Sequence, residues 1–243
     1  MQEAMFGEFM GTLVLILLGN GVVAGALLKH SKSEGAGWIV ITGGWAFAVM
    51  AGVFTAAACG SNAAHINPAV TLGFALATGN WTDVVPFITA QMLGAFVGAV
   101  LVWLHFYPHW AKTQETELKL ACFCTSPAIP NKLANILSEV IATFVLVFVV
   151  AAISSKRATA IGAPTVGVGP YLVGSLVWGI GMSLGGTTGY AINPARDFGP
   201  RLAHALLPIA GKGDSGWNYA LVPVAGASIG GLLAGALIHM LHL

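Results

Sequence analysis

The sequence predicts an all-α membrane protein: six transmembrane helices plus two half-membrane helices in an inverted repeat. Three observations predict it. The chain is 56% hydrophobic and 8% charged, with a mean hydropathy of +0.82, where a soluble domain carries roughly 25% charged residues. Six apolar runs are long enough to cross about 30 Å of hydrocarbon at 1.5 Å per residue. A short segment also occurs twice, 126 positions apart: His65-Ile66-Asn67-Pro68-Ala69-Val70-Thr71 and Ala191-Ile192-Asn193-Pro194-Ala195-Arg196-Asp197.

The first apolar run covers 4–28. It has Glu3 and no basic leader, and it is too long for a signal-peptide core, so it reads as a retained span. The second covers 37–57 and ends in a Gly/Ala-rich stretch before Asn67. Asn-Pro is a helix start, with Asn as cap and Pro at the first helical position, so 67–78 reads as a half-helix too short to cross. A third run covers 82–106, and a longer loop with Pro108, Pro127 and Pro130 follows over 107–131. The pattern then recurs as spans at 133–154 and 168–186, a half-helix at 193–205 and a last span at 218–241. No room remains for a soluble domain.

Internal similarity extends beyond the Asn-Pro-Ala segments. Glu8-Phe9-Met10-Gly11-Thr12 resembles Glu139-Val140-Ile141-Ala142-Thr143, and Gln91-x-x-Gly94-Ala95-x-x-Gly98 resembles Pro223-x-x-Gly226-Ala227-x-x-Gly230. Three spans per half is an odd number, so the halves enter the membrane in opposite directions. The expected organisation is one domain over 1–243, with inverted repeats of about 1–106 and 132–243. The small-residue pairs Gly94/Gly98, Gly226/Gly230 and Gly231/Gly235 allow close helix crossings.

The net charge of +1 gives no reason to expect a nucleic-acid partner. Cys59, Cys122 and Cys124 are odd in number. Cys122 and Cys124 are too close for a direct disulfide, and no His stands at zinc-finger spacing, so they read as structural or surface cysteines with no metal or cofactor implied. Lysines fall mostly on the side opposite the N-terminus, so the charge rule alone points to an external N-terminus.

Three charges stand at membrane depth, where each needs a partner. Glu8 and Glu139 occupy matching positions of the two repeats. They are read as struts that accept backbone N–H groups of the unwound segments before Asn67 and Asn193. Arg196 has Val70 as its counterpart, so it breaks the symmetry at one point along the path. It is read as a pore group that repels cations and binds oxygens, the alternative being a pair with adjacent Asp197. His65 reads as a hydrogen-bonded loop residue rather than a pH sensor, and Cys59 is a candidate for mercurial block.

At these residues the chain resembles the major intrinsic protein family, the aquaporins and glycerol facilitators. The resemblance rests on Asn67-Pro68-Ala69, Asn193-Pro194-Ala195 and the following Arg196, and runs from Glu8 through Pro223. Asn193-Pro194-Ala195-Arg196-Asp197-Phe198-Gly199-Pro200-Arg201 and Pro223-Val224 are similar to the aquaglyceroporin branch. The resemblance implies a homotetramer with a pore in each protomer, in the plasma (inner) membrane with both termini cytoplasmic. It implies a selectivity ring of Trp45, Gly181, Tyr190 and Arg196, with Phe47 the nearest alternative to Trp45. Tyr190 departs from the usual Phe. Trp45 and Tyr190 are expected on one wall, facing Arg196, with Gly181 widening the ring. The carbonyls of Ala63, Ala64 and His65 and of Gly189, Tyr190 and Ala191 are expected along the path. The implied function is a passive channel for glycerol, water and similar small neutral solutes, with no cofactor and no chemical step. The rival reading is an ion- or proton-coupled secondary transporter; a membrane enzyme is third.

Overall fold

The computed structural model describes residues 1–160 and 167–243, and all regular structure among them is helical. The elements are α1 (Gln2–Leu27), α2 (Gly37–Ala58), α3 (Pro68–Thr78), α4 (Val84–His105), α5 (Tyr107–Trp110), α6 (Thr116–Ala121), α7 (Lys132–Ser154), α8 (Lys156–Ala160), α9 (Gly169–Leu184), α10 (Pro194–Leu206) and α11 (Leu221–Leu241). The six expected spans correspond to α1, α2, α4, α7, α9 and α11, and the two half-helices to α3 and α10. Five of the spans have at least 18 residues and are apolar enough to cross a bilayer. The sixth, α9, has 16 residues, and it stops where the chain unwinds beyond Gly185 and Gly186.

The spans are apolar all round rather than amphipathic, as expected of helices that face lipid on one side and protein on the other. Large apolar side chains such as Phe6, Ile39, Phe47, Val85 and Leu133 point outward. Contacts between spans run through small residues. A Cβ added at Gly98 would lie 2.6 Å from the Leu13 carbonyl oxygen, and one at Gly226 2.6 Å from Glu139 Cβ. These glycines set how closely α4 meets α1 and α11 meets α7.

The half-helices cross over. α3, from the first repeat, packs chiefly on α11, while α10, from the second, packs chiefly on α4. Gly231 and Gly235 lie directly against the backbone of Ala69 and Gly73. Each repeat therefore holds the half-helix of the other, and the two unwound segments meet in the middle of the bundle.

The loop over 107–131 differs from the sequence reading by containing two short helices, α5 and α6. Trp110 folds back to donate from Nε1 to the Trp103 carbonyl (2.9 Å), and Phe123, Cys122 and Cys124 are buried. All three cysteines are free. Burial pushes the Cys122 and Cys124 thiols well above their ordinary pKa, which keeps them protonated and unreactive.

Candidate functional site

Asn67 and Asn193 cap α3 and α10, each followed by Pro at the first helical position. Asn67 Oδ1 accepts from Ala69 N (2.8 Å), and Asn193 Oδ1 accepts from Ala195 N (3.0 Å) and Arg196 N (3.2 Å). The caps fix the amide orientation, because the oxygen must face its own helix. The nitrogens then reach across: Asn67 Nδ2 donates to Ile192 O and Asn193 Nδ2 donates to Ile66 O, both at 2.9 Å. Each amide carries a second N–H, and both asparagines border a common cavity. The two helix N-termini thus converge on one point, each contributing roughly half a positive charge.

The segments leading to this point are held in a strained backbone. Ala64, Ile66, Tyr190 and Ile192 have φ of 43°, 44°, 37° and 46°, the left-handed region that costs non-glycine residues on the order of 1 kcal/mol or more each. The buried carboxylates hold them there. Glu8 accepts from Ser61 Oγ (2.6 Å), His65 N (2.8 Å), Ile66 N (2.7 Å) and Gln91 Nε2 (2.8 Å). Glu139 accepts from Thr188 Oγ1 (2.6 Å), Ala191 N (3.0 Å) and Ile192 N (2.9 Å). With the N–H groups turned toward the carboxylates, the intervening carbonyls are left for the path. Ala63, Ala64, His65 and Ala191 border the first cavity, Gly189 the second, and Tyr190 both.

These two cavities, about 460 Å³ and 540 Å³, adjoin each other through shared lining residues. The first is lined largely by apolar residues, among them Val49, Val53, Leu146 and Val173, with the asparagines on one side. The second is lined by Trp38, Ile41, Cys124 and Thr125, among others. Three residues belong to both: Trp45, Tyr190 and Arg196. They form the septum between the cavities.

Trp45 is 4% exposed and Phe47 65% exposed; Trp45 borders both cavities and Phe47 neither. Its indole lies against Gly19 of α1, where any side chain would collide with the ring. Arg196 faces Trp45 at contact distance: the guanidinium carbon lies 4.3 Å from the Trp45 ring centroid. The two walls touch, in the geometry of a cation–π contact. Gly181 is expected to leave room at the ring, and the space it leaves lies beside Tyr190. Gly181 borders neither cavity, because a Cβ there would lie 2.8 Å from Tyr190 Cζ and 2.9 Å from Tyr190 Oη. The phenol head occupies the space that the missing side chain leaves. Trp38 braces it, donating from Nε1 to Gly181 O (3.1 Å) and meeting the Tyr190 ring edge-on at 5.8 Å.

The pairing of Arg196 with Asp197 does not form. Asp197 instead meets Arg201, with Arg201 Nη2 2.7 Å and Nε 2.9 Å from its Oδ1. Its Oδ2 accepts from Thr125 N (2.8 Å) and Thr125 Oγ1 (2.6 Å). Arg201 also donates to the carbonyls of Ser215, Gly216 and Thr125, each at 2.9 Å. This buried clamp ties both neighbouring loops to α10 and leaves Arg196 without a carboxylate. Arg196 Nη1 and Tyr190 Oη are buried and have no hydrogen-bond partner among the described residues.

His65 Nδ1 lies 3.2 Å from Thr71 Oγ1, and its ring stacks on Phe74 and meets Phe87 edge-on. That is the hydrogen-bonded loop histidine of the sequence reading. Cys59 is half-buried and borders neither cavity. The sequence reading missed Gln91 as a strut partner, although it stands in the repeated motif of α4 where α11 has Pro223. It also missed Trp38, and it missed Arg201 as the partner of Asp197 although the two stand four residues apart on one helix, the i,i+4 spacing of a helical ion pair.

Comparison with known proteins follows the same lines. The family model described as major intrinsic protein matches residues 1–239. The probable glycerol uptake facilitator protein of Thermotoga maritima is 52% identical over 235 residues, covering 96% of this chain and 97% of that protein. Glycerol uptake facilitator protein 3 of Lactiplantibacillus plantarum is 51% identical over 238 residues, 98% of this chain and 96% of that protein. Among solved structures, the aquaglyceroporin from Plasmodium falciparum superposes with a TM-score of 0.83 at 25% identity, covering 98% of this chain and 95% of that one.

Proposed function

The chain belongs to the major intrinsic protein family, and from that premise we propose how it works. It is a passive transmembrane channel for glycerol, other small uncharged solutes and water, and it excludes protons and ions. The observation that carries this reading is the arrangement of two cavities meeting at one septum, with both asparagine amides on the path. A solute with carbons on one side and hydroxyls on the other fits a path with an apolar wall facing a strip of carbonyls and amide N–H groups.

Ion exclusion follows from charge. Arg196 is unneutralised at the septum, and two helix N-termini point at the midplane, so a cation meets positive potential twice. A water oxygen that accepts from both Asn67 and Asn193 keeps its hydrogens directed away from the midpoint, which interrupts a proton relay. Nothing along the path calls for a chemical step.

The finer reading assigns Trp45, Gly181, Tyr190 and Arg196 to the selectivity ring. Asn67-Pro68-Ala69 and Asn193-Pro194-Ala195 form the midplane, and Glu8 and Glu139 its struts. We further propose a single channel domain over 1–243 with repeats of about 1–106 and 132–243. It assembles as a homotetramer in the plasma membrane with both termini cytoplasmic. Stopped-flow light scattering of proteoliposomes tests the function. Fast, non-saturating glycerol uptake with a low temperature dependence is expected; uptake that requires an ion gradient overturns the reading in favour of a coupled transporter.

A further inference from the structure

The two cavities are built from different side chains. The second mixes apolar residues with Thr125, Ser126, Gly185 and Gly186. The first has an aliphatic and aromatic wall that includes Val53, Phe74 and Val177. Along α7, Leu146, Val150 and Ile153 line it on successive turns, ending at Ser154, which is exposed. From Leu146 to Ser154 that wall runs roughly 12 Å at 1.5 Å per residue. The volume of about 460 Å³ is the share of roughly 15 water-sized groups at about 30 Å³ each. Glycerol has about six such groups, with an oxygen on every carbon, so it uses neither the room nor the apolar wall. Such a volume, apolar with a few placed polar groups, is that of a small-molecule site.

The placed groups are at the crossing point. Asn67 and Asn193 each present a second amide N–H to this cavity, and Ala63, Ala64 and His65 bring carbonyls to it. Among the described residues that border it, the permanently charged one is Arg196. An ammonium head would meet Arg196 and two helix N-termini, and a carboxylate would give up its water to face carbonyls. The head that fits is a hydroxyl, which accepts from an amide and donates to a carbonyl. An extended chain advances roughly 1.2 Å per bond, so the wall beyond the head matches an alkyl tail that ends at about eight to ten carbons.

We infer that the first cavity is a binding site for uncharged amphiphiles, a 1,2-diol head with an unbranched alkyl tail. The head lodges at Asn67 and Asn193, the tail lies along α7, and the bound molecule occupies the path and competes with the permeant solute. The inference rests on the channel reading above.

The test is glycerol uptake by proteoliposomes in the presence of 1,2-butanediol, 1,2-hexanediol, 1,2-octanediol or 1,2-dodecanediol, with protein-free vesicles recording the bilayer's own response. Uptake without diol tests the channel reading itself, and each inhibition is normalised to it. The half-inhibiting concentration is expected to fall about fourfold per added methylene up to about eight to ten carbons. 1,2-Dodecanediol is then expected to be no more potent than 1,2-octanediol, whereas partition into lipid keeps rising with chain length. Val150→Thr puts a hydroxyl into the wall. It is expected to raise the half-inhibiting concentration of 1,2-octanediol about fivefold and that of 1,2-butanediol less than about twofold. Val53→Thr repeats the measurement from a second helix. Octanoate is expected to be about tenfold weaker than 1,2-octanediol. Potency still rising at 1,2-dodecanediol, 1,2-octanediol equally potent on the unaltered protein and both threonine variants, or octanoate as potent as 1,2-octanediol each overturn the inference while leaving the channel reading intact.

Discussion

The two copies of the Asn-Pro-Ala segment share a scaffold and differ in chemistry. In both, an asparagine caps a half-helix, two residues in left-handed backbone precede it, and a buried glutamate receives the N–H groups of the two residues before the asparagine. Beyond the proline the copies diverge. α3 carries Val70, Thr71 and Ala75 where α10 carries Arg196, Asp197 and Arg201. The shared part builds a symmetric crossing point, and the divergent part places one unpaired charge and one buried ion pair on a single side of it. The crossing point belongs to both halves; the unpaired charge belongs to one.

The scaffold can be broken first, at its struts. Glu8 accepts four hydrogen bonds and Glu139 three, since α4 offers Gln91 where α11 has Pro223. Glu8→Ala leaves buried donors unpaired and should cost about 3–5 kcal/mol, with Glu139→Ala about 1 kcal/mol less. Thermal unfolding in detergent measures both, and a Glu8→Ala loss smaller than that of Glu139→Ala would contradict the added contribution of the Gln91 bond. The clamp found only in the second copy comes next. Arg201→Leu strands Asp197 and should cost about 3 kcal/mol, read by the same unfolding midpoint together with faster proteolysis of the loops at 125 and 215.

Converting the second copy toward the first sharpens the comparison further. Arg196→Val removes the one charge on the path, and a cation or proton leak should rise by roughly tenfold, the equivalent of about 1.4 kcal/mol of lost barrier. A pH-sensitive dye trapped in vesicles reads it, and an unchanged leak would assign all exclusion to the half-helix dipoles. The smallest effect concerns how the half-helices end. Lys212 Nζ donates to three carbonyls at the end of α10, those of His204, Ala205 and Leu207, each at 2.7 Å. α3 has one such partner, His239 Nδ1, 2.9 Å from Ala77 O. Lys212→Ala should cost about 1 kcal/mol and His239→Ala about 0.5 kcal/mol, again by unfolding midpoint.

Much of the scaffold was legible in the sequence because its signals are local or repeated. Asn-Pro states a capped helix start, and a glutamate found at the same place in two repeats states a shared structural need. The septum was less legible. That Arg196 lies against Trp45, that Tyr190 fills the space over Gly181, and that Asp197 and Arg201 close on Thr125, Ser215 and Gly216 are outcomes of packing between distant segments. No periodicity encodes them. The lysines that the charge rule counts on one side also have structural partners. Lys119 donates to the carbonyls of Ala210 and Gly211, Lys212 caps α10, and Lys29 pairs with Glu34 and Glu115. Half of the lysines that the charge rule counts on that side are engaged in structure rather than free to orient the chain.

The exchange between Asn67 and Ile192 carries a consequence in time. The two residues are 125 positions apart, so a ribosome adding 5–20 residues per second needs about 6–25 seconds to supply the partner that Asn67 awaits. During that interval the first segment has its capping asparagine and the Glu8 strut, but nothing across the midplane. The crossing point therefore cannot close before the second half is made, since it supplies both the partner across the midplane and α11, on which α3 chiefly packs.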